Sequence, residues 1–397
     1  MISPRKHYKM NVLFVIGTYS DYGGTEKITT VLANAFCRRG CHAHVAAFRG
    51  EVNPGKLGLA SDVLCTSLGN DPQRALAKII RDEKVSVIFN QWCLPYYTTR
   101  VINRARKGTG ARLISVLHGV PDRSKKVIVA EDALKGAHGF GKILAWLKLQ
   151  AIHTVIKASI RYVYRRSDAY VVLSKGFISS FRAYTGLRQT PKLHAIGNPI
   201  TIDPGAYVKN VSREEKSNTV LYVGRLDKEN KRVNRIVEVW QSVCSDCPDW
   251  GLVLVGDGPH REELQNWVRD NHVDRVTFTG RVKEDPVGYY RRAKIFMLTS
   301  DLEGFGLVLL EAMSFGVVPI VYNSYASASE IVDDGVNGLL TQTPFSHEAT
   351  TKALRTLMEN NDLCVKFSEA AVVKAKAFSL TSIIKKWDDL LSSIGVV

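Results

Sequence analysis

The sequence predicts two doubly wound α/β domains, each built on a parallel β-sheet with helices on both faces. The chain has 397 residues, which at about 150 residues per domain is enough for two or three domains. Ten short apolar runs, of the kind that forms buried strands, alternate with amphipathic helical patterns. The runs fall into two series, one in each half of the chain, so we expect two sheets of the same kind.

The first series of predicted strands lies before residue 175. Its members are NVLFVIG (11–17), AHVAAF (43–48), VSVIFN (85–90), RLISVLHG (112–119) and AYVVLS (169–174). The pattern GTEKITTVLANAFCRRG (24–40) predicts a helix directly after the first strand. Strands that are apolar on both faces need helices on both sides of the sheet, which is the doubly wound arrangement.

The second series begins after residue 218. Its members are TVLYVGR (219–225), GLVLVGDG (251–258), RVTFTGR (275–281), KIFMLTS (294–300) and VVPIVYN (317–323). Helical patterns lie between these strands, at VNRIVEVWQSV (233–243), REELQNWVRDN (261–271) and GLVLLEAMSFG (306–316). Strand and helix alternate here as they do in the first half.

A cluster of Pro, Gly, Asn and charged residues at 198–217 predicts the domain boundary. We therefore expect an N-terminal domain at 1–200 and a C-terminal domain at 201–379. The last apolar-periodic stretch predicts a closing helix at 380–397, which we expect to pack back toward the N-terminal domain.

The net charge is concentrated in one half of the chain. The total of +16 divides into +20 for residues 1–200, with 31 Lys and Arg against 11 Asp and Glu, and −4 for residues 201–397, with 23 against 27. A basic half implies an anionic partner: a nucleic acid, an anionic membrane surface or a phosphorylated substrate. No nucleic-acid-binding motif is present, so we expect no nucleic acid partner.

The composition excludes several other classes of protein. Apolar residues make up 45% and charged residues 23% of the chain, which is typical of a globular protein and not of a disordered or collagen-like one. The seven cysteines are scattered, and Cys244 and Cys247 form a CxxC pair without the two further ligands that a zinc site needs. We expect no metal site and a reduced, cytoplasmic protein. The first apolar run is too short for a signal peptide, and no run reaches the ~20 apolar residues of a membrane-spanning helix.

Two glycine turns follow predicted strands. In the first, Gly23 and Gly24 open a helix, where backbone N–H groups can approach a phosphate, although a structural turn is the alternative. In the second, GDGPHREEL (256–264), the acidic residues Asp257, Glu262 and Glu263 would repel a phosphate. We interpret the second turn as structural.

Two further segments carry the chemistry of a ligand site. In DLEGFGLVLLEAMSFG (301–316), Glu303 precedes a helix and Glu311 lies inside it, so both carboxylates could bind the hydroxyls of a sugar or ribose. The alternative is a capped core helix with one inward acid. In GRLDKENK (224–231), Arg225 and Lys231 could neutralise a diphosphate. The alternative is a solvated run of charges, which fits Lys228, Glu229, Arg232 and Arg235 better than it fits Arg225.

Taken together, GGTEK, SVLHG, GRL…K, VGDGP and EGFGLVLLE resemble the retaining glycosyltransferases of family 4, the large "group 1" of this enzyme class. The resemblance covers nearly the whole chain, and its specific parts are the two glutamates with seven residues between them and the GRL…K segment. It implies the GT-B fold, in which two Rossmann-like domains face a central cleft. The N-terminal domain would bind the acceptor and the C-terminal domain the nucleotide sugar.

The resemblance also implies roles for individual residues. His118 and Glu303 would act at the transferred sugar, although a buried, satisfied histidine is the alternative for His118. Arg225 and Lys231 would bind the diphosphate and Glu311 the ribose. The remaining donor-site residues would be Gly23 and Gly24 beside the diphosphate, Val282 at the base, Asn198 at the hinge, and the backbone of Gly304, Phe305, Gly306 and Leu307 at the donor sugar.

One departure from the family pattern leaves the diphosphate lysine open. The family has five positions from the arginine to the lysine, whereas here Lys231 follows Arg225 by six and Lys228 by three. We prefer Lys231, because it begins the helical pattern, and Lys228 remains the alternative.

The resemblance predicts transfer of a sugar from a nucleotide sugar, UDP-linked by preference, to a lipid-linked saccharide in bacterial surface polysaccharide synthesis (lipopolysaccharide O-antigen, capsule or exopolysaccharide), with retention of configuration. No Asp-x-Asp motif is present, so we expect neither a metal nor another cofactor. The alternatives are a GDP-mannose-dependent mannosyltransferase, a UDP-sugar epimerase on the same fold, and a catalytically silent membrane-associated subunit.

The excess positive charge predicts a membrane-facing surface. No acidic residue lies between Asp132 and Asp168. His153, Lys157, Arg161 and Arg165 recur every four residues and share one helical stripe, with apolar residues such as Val155 and Ile156 on the other side. We expect the N-terminal domain to lie on the anionic inner face of the cytoplasmic membrane through Lys148, Lys157, Arg161, Arg165 and Arg166. An ordinary surface helix with its apolar face in the core is the alternative.

Overall fold

The computed structural model describes residues 10–20, 23–202, 205, 216–282 and 286–397 of the chain. These residues form two compact units. The first comprises the described residues of Met1–Asn198 together with Ile383–Val397, and the second is Pro199–Ser382. The chain therefore divides two residues before the expected position, and its last segment returns to the first unit.

The first unit is a parallel sheet with helices on both faces. Its strands are β1 (Asn11–Thr18), β2 (His42–Arg49), β3 (Leu64–Ser67), β4 (Val87–Asn90), β5 (Arg112–Leu117), β6 (Ala169–Val172) and β7 (Leu193–Ala195). Its helices are α1 (Gly24–Arg38), α2 (Pro72–Asp82), α3 (Tyr96–Ala105), α4 (Lys125–Lys135), α5 (Gly139–Arg166) and α6 (Gly176–Thr185). The strand order is β3-β2-β1-β4-β5-β6-β7.

The second unit repeats this plan. Its strands are β8 (Thr219–Val223), β9 (Gly251–Val255), β10 (Val276–Gly280), β11 (Ile295–Leu298), β12 (Val318–Tyr322) and β13 (Leu339–Thr341), in the order β10-β9-β8-β11-β12-β13. Its helices are α7 (Val233–Gln241), α8 (Arg261–Asp270), α9 (Val287–Arg292), α10 (Leu307–Ser314), α11 (Ala328–Ile331), α12 (His347–Glu359) and α13 (Asn361–Lys376). The last helix, α14 (Leu380–Ser393), begins in this unit and continues in the first.

All ten strands predicted from apolar runs are confirmed, and both sheets are parallel. The strands that the sequence did not predict are β3, β7 and β13, which have only three or four residues each. All three lie at a sheet edge. An edge strand is covered by a neighbour on one side only, so it needs no continuous apolar run.

The core of the first unit includes a segment from the end of the chain. The rings of Phe14 and Phe89 stack with centroids 4.9 Å apart, on the neighbouring strands β1 and β4. Trp387 of α14 meets Phe89 edge-on at 5.2 Å. Beside it, the guanidinium of Arg39 donates two hydrogen bonds to Asp388, of 2.9 and 2.8 Å. The C-terminal helix is thus an integral part of the first unit.

Candidate active site

The second unit has a topological switch point between β8 and β11. The chain adds strands outward from β8 to β9 and β10 on one side, and then from β11 onward on the other. Connections that follow β8 and β11 therefore leave the sheet at its carboxyl edge in opposite directions, which opens a crevice between them. Ligands of doubly wound domains bind at this position. The loop after β8 contains Arg225 and Lys231, and the loop after β11 contains Glu303.

The loop after β8 is held by its neighbour after β9 through backbone contacts. Gly224 N donates to Val255 O at 2.9 Å, and Leu226 N donates to Asp257 O at 3.0 Å. A Cβ on Gly256 would lie 1.9 Å from the carbonyl oxygen of Gly224. This turn therefore needs glycine for close approach of two chain segments, which is the structural role that the sequence predicted.

Arg225 lies on the held loop with its side chain exposed. Its carbonyl oxygen accepts hydrogen bonds from Tyr222 OH at 2.9 Å and from Asp227 N at 3.1 Å, which fixes the backbone. Its guanidinium forms no ion pair or hydrogen bond with any residue in the described part of the chain. An anion can therefore bind it without displacing a protein partner.

Lys231 reaches Glu303 across the switch point. The ammonium Nζ lies 2.6 Å from Glu303 Oε1, and Ser300 Oγ donates to the same oxygen at 2.7 Å. Glu303 is buried, with 8% of its surface exposed. The turn before Lys231 is fixed by Asp227, whose Oδ1 accepts from Asn230 N at 2.8 Å and from Lys231 N at 3.0 Å. The buried carboxylate of Glu303 and the half-buried ammonium of Lys231 therefore form an ion pair, and Ser300 donates a hydrogen bond to the same carboxylate.

The other cations of the same segment have different partners. Lys228 pairs with Glu263 of α8 at the surface. Arg232 and Arg235 both pair with Asp301, each at 2.6 Å. The alternative of a solvated run of charges does not describe these two arginines, because both pair with Asp301 and Arg235 also donates to the backbone oxygen of Thr299 at 3.0 Å. Of the two candidate lysines, the structure brings Lys231 to the switch point and Lys228 to α8.

The start of α10 offers backbone donors beside Glu303. Gly306 has φ of +85°, which favours glycine, and the helix begins at the next residue. Among the described residues, no acceptor engages the N–H groups of Gly304, Phe305, Gly306 and Leu307. The side chain of Phe305 is buried against Phe378, with ring centroids 5.8 Å apart, so only the backbone of Phe305 can contribute. Four N–H groups at a helix start can bind an anion or hydroxyl oxygens.

Glu311 is a second buried carboxylate, one turn into α10. Thr201 Oγ1 and Tyr290 OH donate to its two oxygens, the latter at 3.1 Å. The structure therefore places Glu303 before the helix and Glu311 within it, as the sequence predicted. These two hydroxyl groups fix the carboxylate of Glu311, for which the resemblance implies a role in ribose binding.

Tyr325 is a site neighbour that sequence reasoning missed. Its hydroxyl is buried without a partner among the described residues, and a Cβ on Gly306 would lie 3.4 Å from it. Burial raises the pKa of Tyr325 well above its usual value, and the charge of Glu303 raises it further. The phenol is therefore a neutral donor beside the turn that precedes α10. Ser300 was also missed, because a single hydroxyl at a strand end has no signature in the sequence.

The first unit has its own switch point between β1 and β4, and His118 follows the next strand, β5. Nε2 of His118 forms a hydrogen bond with Gln91 Oε1, which follows β4. With the amide oriented in this way, Nε2 carries the proton and Nδ1 is the acceptor. Burial lowers the pKa of His118 from 6.5 to about 4, so the imidazole is neutral at pH 7. Gln91, 4% exposed, is a positioning residue that the sequence did not reveal.

The remaining predicted site residues lie in loops or at the start of a helix. Gly23 directly precedes α1, and a Cβ there would lie 2.2 Å from Glu26 Oε2, so an acidic group already occupies this helix start. Gly24 is the first residue of the helix. Asn198, 7% exposed, ends the first unit. Val282 is half-buried after β10, and the three residues that follow it lie outside the described part of the chain.

Two family models match the sequence. The model described as "Glycosyltransferase Family 4" matches residues 22–203, and the model described as "Glycosyl transferases group 1" matches residues 206–373. Together they cover most of the chain. The chain belongs to the family 4 glycosyltransferases. Members of this family are named for glycosyl transfer, and the two sheets of this chain are those of the GT-B fold class.

Individual relatives agree with this assignment. A Haemophilus influenzae protein named as an uncharacterized glycosyltransferase is 30% identical over 204 residues, which are 51% of this chain and 56% of that relative, so the match spans about half of each. A Campylobacter jejuni α-1,4-N-acetyl-D-galactosaminyltransferase is 29% identical over 385 residues, 97% of this chain and 99% of that relative. The solved pneumococcal O-GlcNAc transferase shares the fold, with a TM-score of 0.75 and 12% identity over 98% of this chain and 99% of that one.

The basic residues of the glycosyltransferase do not form the free stripe that the sequence predicted. Lys157 Nζ lies over the ring of Tyr184, 5.2 Å from its centroid, and Arg161 Nε donates to Thr185 O at the end of α6. Both side chains are half-buried. The exposed cations of α5 are Lys142, Lys148, Arg165 and Arg166. Two of the five predicted membrane contacts therefore hold α6 in place.

The same helix changes the expectation about membrane segments. Within the described part of the chain, α5 is the one helix that is long and apolar enough to cross a membrane. In its most apolar stretch of 18 residues, 22% of the residues are buried in the protein. No single apolar run reaches 18 residues, which is why the sequence did not predict it. The described residues contain no cluster of three or more His, Cys, Asp or Glu that could hold a metal. Cys244 and Cys247 are free thiols.

Proposed function

We propose that this glycosyltransferase moves a sugar from a nucleotide sugar to a lipid-linked saccharide, with retention of configuration and without a metal ion. The observation that carries the proposal is the group at the switch point of the second unit. There a buried carboxylate, Glu303, and a cation, Lys231, lie beside four N–H groups at the start of α10 that no acceptor in the described part of the chain engages, and the exposed guanidinium of Arg225 lies on the loop after β8. Carboxylate, cations and N–H donors are what a sugar diphosphate requires.

The cations act on the leaving group. As the bond between sugar and diphosphate breaks, negative charge grows on the diphosphate, and Arg225 and Lys231 stabilise it. The N–H groups at the start of α10 add donors that need no reorganisation during the reaction. Two cations and a helix start are enough to replace a divalent ion in this role, which supports the proposed independence of metal.

The carboxylates act on hydroxyl groups. Glu303 accepts hydrogen bonds from the donor sugar while Lys231 and Ser300 hold its other contacts, and Glu311 accepts from the ribose. His118, neutral at pH 7, presents Nδ1 as an acceptor to the transferred sugar, in the role that the resemblance implies. The acceptor oxygen bonds to the anomeric carbon on the face from which the diphosphate departs as the bond between sugar and diphosphate breaks. The proton of the acceptor hydroxyl passes to the departing diphosphate, and the configuration is retained.

The names of relatives support the choice of donor and acceptor. The structural neighbour from pneumococcus was solved with UDP and GlcNAc. The Campylobacter relative is named for the acceptor GalNAc-α-(1→4)-GalNAc-α-(1→3)-diNAcBac-PP-undecaprenol. We therefore favour a UDP-sugar as the donor and a saccharide on a lipid diphosphate as the acceptor. The setting would be bacterial surface polysaccharide synthesis at the inner face of the cytoplasmic membrane.

The lysine pair provides a matched test of the donor site. Lys231→Ala removes the cation from Glu303, so we expect kcat/KM for the nucleotide sugar to fall about 10²–10³-fold. Lys228→Ala removes a surface partner of Glu263, and we expect a change of less than about twofold. Steady-state kinetics with both variants checks this, and circular dichroism confirms that each is folded. Equal losses, or a larger loss for Lys228→Ala, would refute the assignment.

A panel of nucleotide sugars distinguishes the remaining alternatives. The purified protein is incubated with UDP- and GDP-sugars, with and without lipid-linked saccharide, and the products are separated. Transfer from GDP-mannose alone would identify a mannosyltransferase. Interconversion of UDP-sugars without an acceptor would identify an epimerase. No thermal stabilisation by any nucleotide would identify a silent subunit, and only transfer from a UDP-sugar to the lipid-linked acceptor agrees with the proposal.

A further inference from the structure

Helix α5 has two apolar faces, and one of them is exposed. Leu149, Ile156, Ile160 and Val163 are buried against the first unit. In the first part of the helix, five large apolar side chains are exposed by half or more; we call them the insertion face. They are Phe140 (73%), Ile143 (55%), Leu144 (53%), Trp146 (51%) and Leu147 (51%).

The insertion face is contiguous. Phe140, Ile143, Leu144 and Leu147 follow the spacing i, i+3, i+4, i+7 and therefore share one side of the helix. Leu149 lies nine residues after Phe140, half a turn away, so the buried side is opposite. Isolated exposed apolar residues are ordinary, but a continuous patch marks an interaction surface.

The positive charge of α5 indicates that the insertion face contacts an anionic partner. The whole of α5 lies in the segment without acidic residues, between Asp132 and Asp168. Lys142 and Lys148 are exposed beside the insertion face, and Arg165 and Arg166 are exposed at the end of the helix. Large apolar side chains, a tryptophan and flanking lysines without acids are the combination found in helices that lie in the interface of an anionic bilayer.

The rest of α5 decides between lying in the membrane and crossing it. Ser159 Oγ donates to Leu94 O and accepts from Tyr96 N at 3.0 Å, which ties the second half of the helix to the start of α3. The cations Lys157 and Arg161 are bound to the end of α6. The second half cannot enter lipid while the first unit is folded. Only the first half is free to do so.

We propose that the insertion face enters the headgroup region of an anionic lipid bilayer and anchors the enzyme there. This inference deepens the proposed function, because it names the surface that brings the enzyme to a lipid-linked acceptor. Residues 119–124 connect His118 directly to α4, which packs on α5. The anchor therefore belongs to the same connection, between β5 and β6, that carries His118.

Vesicle flotation of the full chain tests the anchor. The protein is mixed with vesicles of phosphatidylglycerol and phosphatidylethanolamine, or of phosphatidylcholine alone. We expect the wild type to float with the anionic vesicles and to remain partly bound at 0.5 M salt, because insertion is less sensitive to screening than ion pairing is. The double variant Phe140→Ser/Leu144→Ser should lose about tenfold or more of its partitioning.

The matched control is Val365→Ser/Val373→Ser on α13, which removes two exposed apolar side chains from the second unit. It should float like the wild type. The fluorescence of Trp146, isolated as the difference from Trp146→Phe, should shift to the blue on binding and be quenched by brominated lipid. Flotation of Phe140→Ser/Leu144→Ser at the wild-type level overturns the proposal. So does a wild type that ignores anionic vesicles, or one that dimerises through this face.

The outcome is separable from the proposed function. With a short-chain, water-soluble acceptor, Phe140→Ser/Leu144→Ser should keep its kcat/KM within about twofold, since the switch-point residues are untouched. A protein that floats but transfers no sugar leaves the anchor standing and refutes the function. Full transfer to long-chain acceptor in vesicles by the double variant refutes the anchor alone.

Discussion

The hydroxyl of Tyr325 shows how a binding site can be recognised by a group that has no partner. A buried hydroxyl without an acceptor costs free energy in the folded state. Tyr325 OH is such a group among the described residues, and it lies beside the turn at Gly306 and in the field of Glu303. We interpret this hydroxyl as a group that donates a hydrogen bond to an oxygen of the nucleotide sugar when that ligand binds.

Tyr325→Phe should therefore have opposite effects on stability and binding. Without nucleotide, the variant should be more stable by about 1 kcal/mol, because an unsatisfied buried group is removed. Its affinity for the nucleotide sugar should fall about three- to tenfold, because a hydrogen bond is lost. Thermal unfolding and calorimetric titration measure the two effects, and Tyr322→Phe on the preceding strand is the control. A destabilised variant with unchanged affinity would show that the hydroxyl is structural.

The histidine at the end of β5 is held neutral, and this has a consequence for stability. Its pKa is about 4 when folded and 6.5 when unfolded, so between these values only the unfolded chain takes up the proton. Stability should therefore decrease as the pH falls from about 6.5 to about 4.

Because the unfolded chain binds a proton at His118 and the folded chain does not, we expect the free energy of unfolding to fall by about 2 kcal/mol between pH 7 and pH 5 on account of this residue. His118→Gln has no group that titrates there and can keep the hydrogen bond to Gln91. Urea unfolding of both proteins at the two pH values isolates the contribution, since other histidines contribute equally to each. If the pH-dependent losses are the same for wild type and variant, an imidazole of His118 that stays neutral in the folded protein is excluded.

Among single residues, the sequence identified those that belong to a motif with fixed spacing along the chain. It missed those that belong to no such motif. Glu303, Glu311 and Lys231 stand at fixed distances along the chain, and the structure places them at the switch point or on the helix that follows it. Gln91 and Tyr325 are ordinary polar residues after strands. Only the neighbouring strands β4 and β5 bring Gln91 to His118.

At the level of elements, the turns after β8 and β9 can approach each other closely only because glycine lies at their contact. Gly256 has φ of +137°, and its Cα faces the carbonyl of Gly224 so closely that no Cβ fits. The loop that carries Arg225 depends on this contact for its position.

Gly256→Ala should destabilise the second unit by about 2–4 kcal/mol, through a backbone clash and an unfavourable φ. It should also weaken nucleotide-sugar binding, because the Arg225 loop must move. Gly251→Ala is the control at the other end of β9, where a Cβ would meet only Arg275 O at 3.7 Å. Chemical denaturation and titration of the two variants give the comparison. Similar behaviour of both would mean that the turns can separate without cost.

Helix α5 shows the limit of periodicity. The four-residue spacing correctly placed Lys157, Arg161 and Arg165 on one side of a helix. It could not show that α6 covers two of them, or that Val155, expected toward the core, is 65% exposed. Periodicity tells which residues share a face, and the neighbours in space decide what covers that face.

At the scale of the whole molecule, the chain returns to its beginning. The segment Ile383–Val397 joins the first unit, where Trp387 is 3% exposed against Phe89 and Asp388 binds Arg39. The first unit thus includes a contact between residues 349 positions apart, Arg39 and Asp388.

Trp387→Ala should destabilise the first unit by about 3–5 kcal/mol, because a large buried side chain leaves a cavity. Hydrogen exchange should accelerate in β1 and β4 and remain at the wild-type rate in β8 and β11, which lie in the second unit. Mass spectrometry of peptides from these strands measures both. Trp250→Phe provides a control in the second unit, and uniform acceleration across the chain would show that the two units unfold as one.

The sequence by itself determined the two doubly wound sheets, the central strands, the glutamate pair and the choice of family. These features depend on local patterns: continuous apolar runs, helical spacing and short motifs. The tertiary structure decided which lysine joins Glu303, which cations are bound to neighbours and which apolar face stays exposed. Those outcomes depend on residues 24 to 72 positions apart in the chain that meet only after folding. The amino-acid sequence gives the charge of a segment. The residues that neutralise that charge come from other parts of the chain and are determined by the tertiary structure.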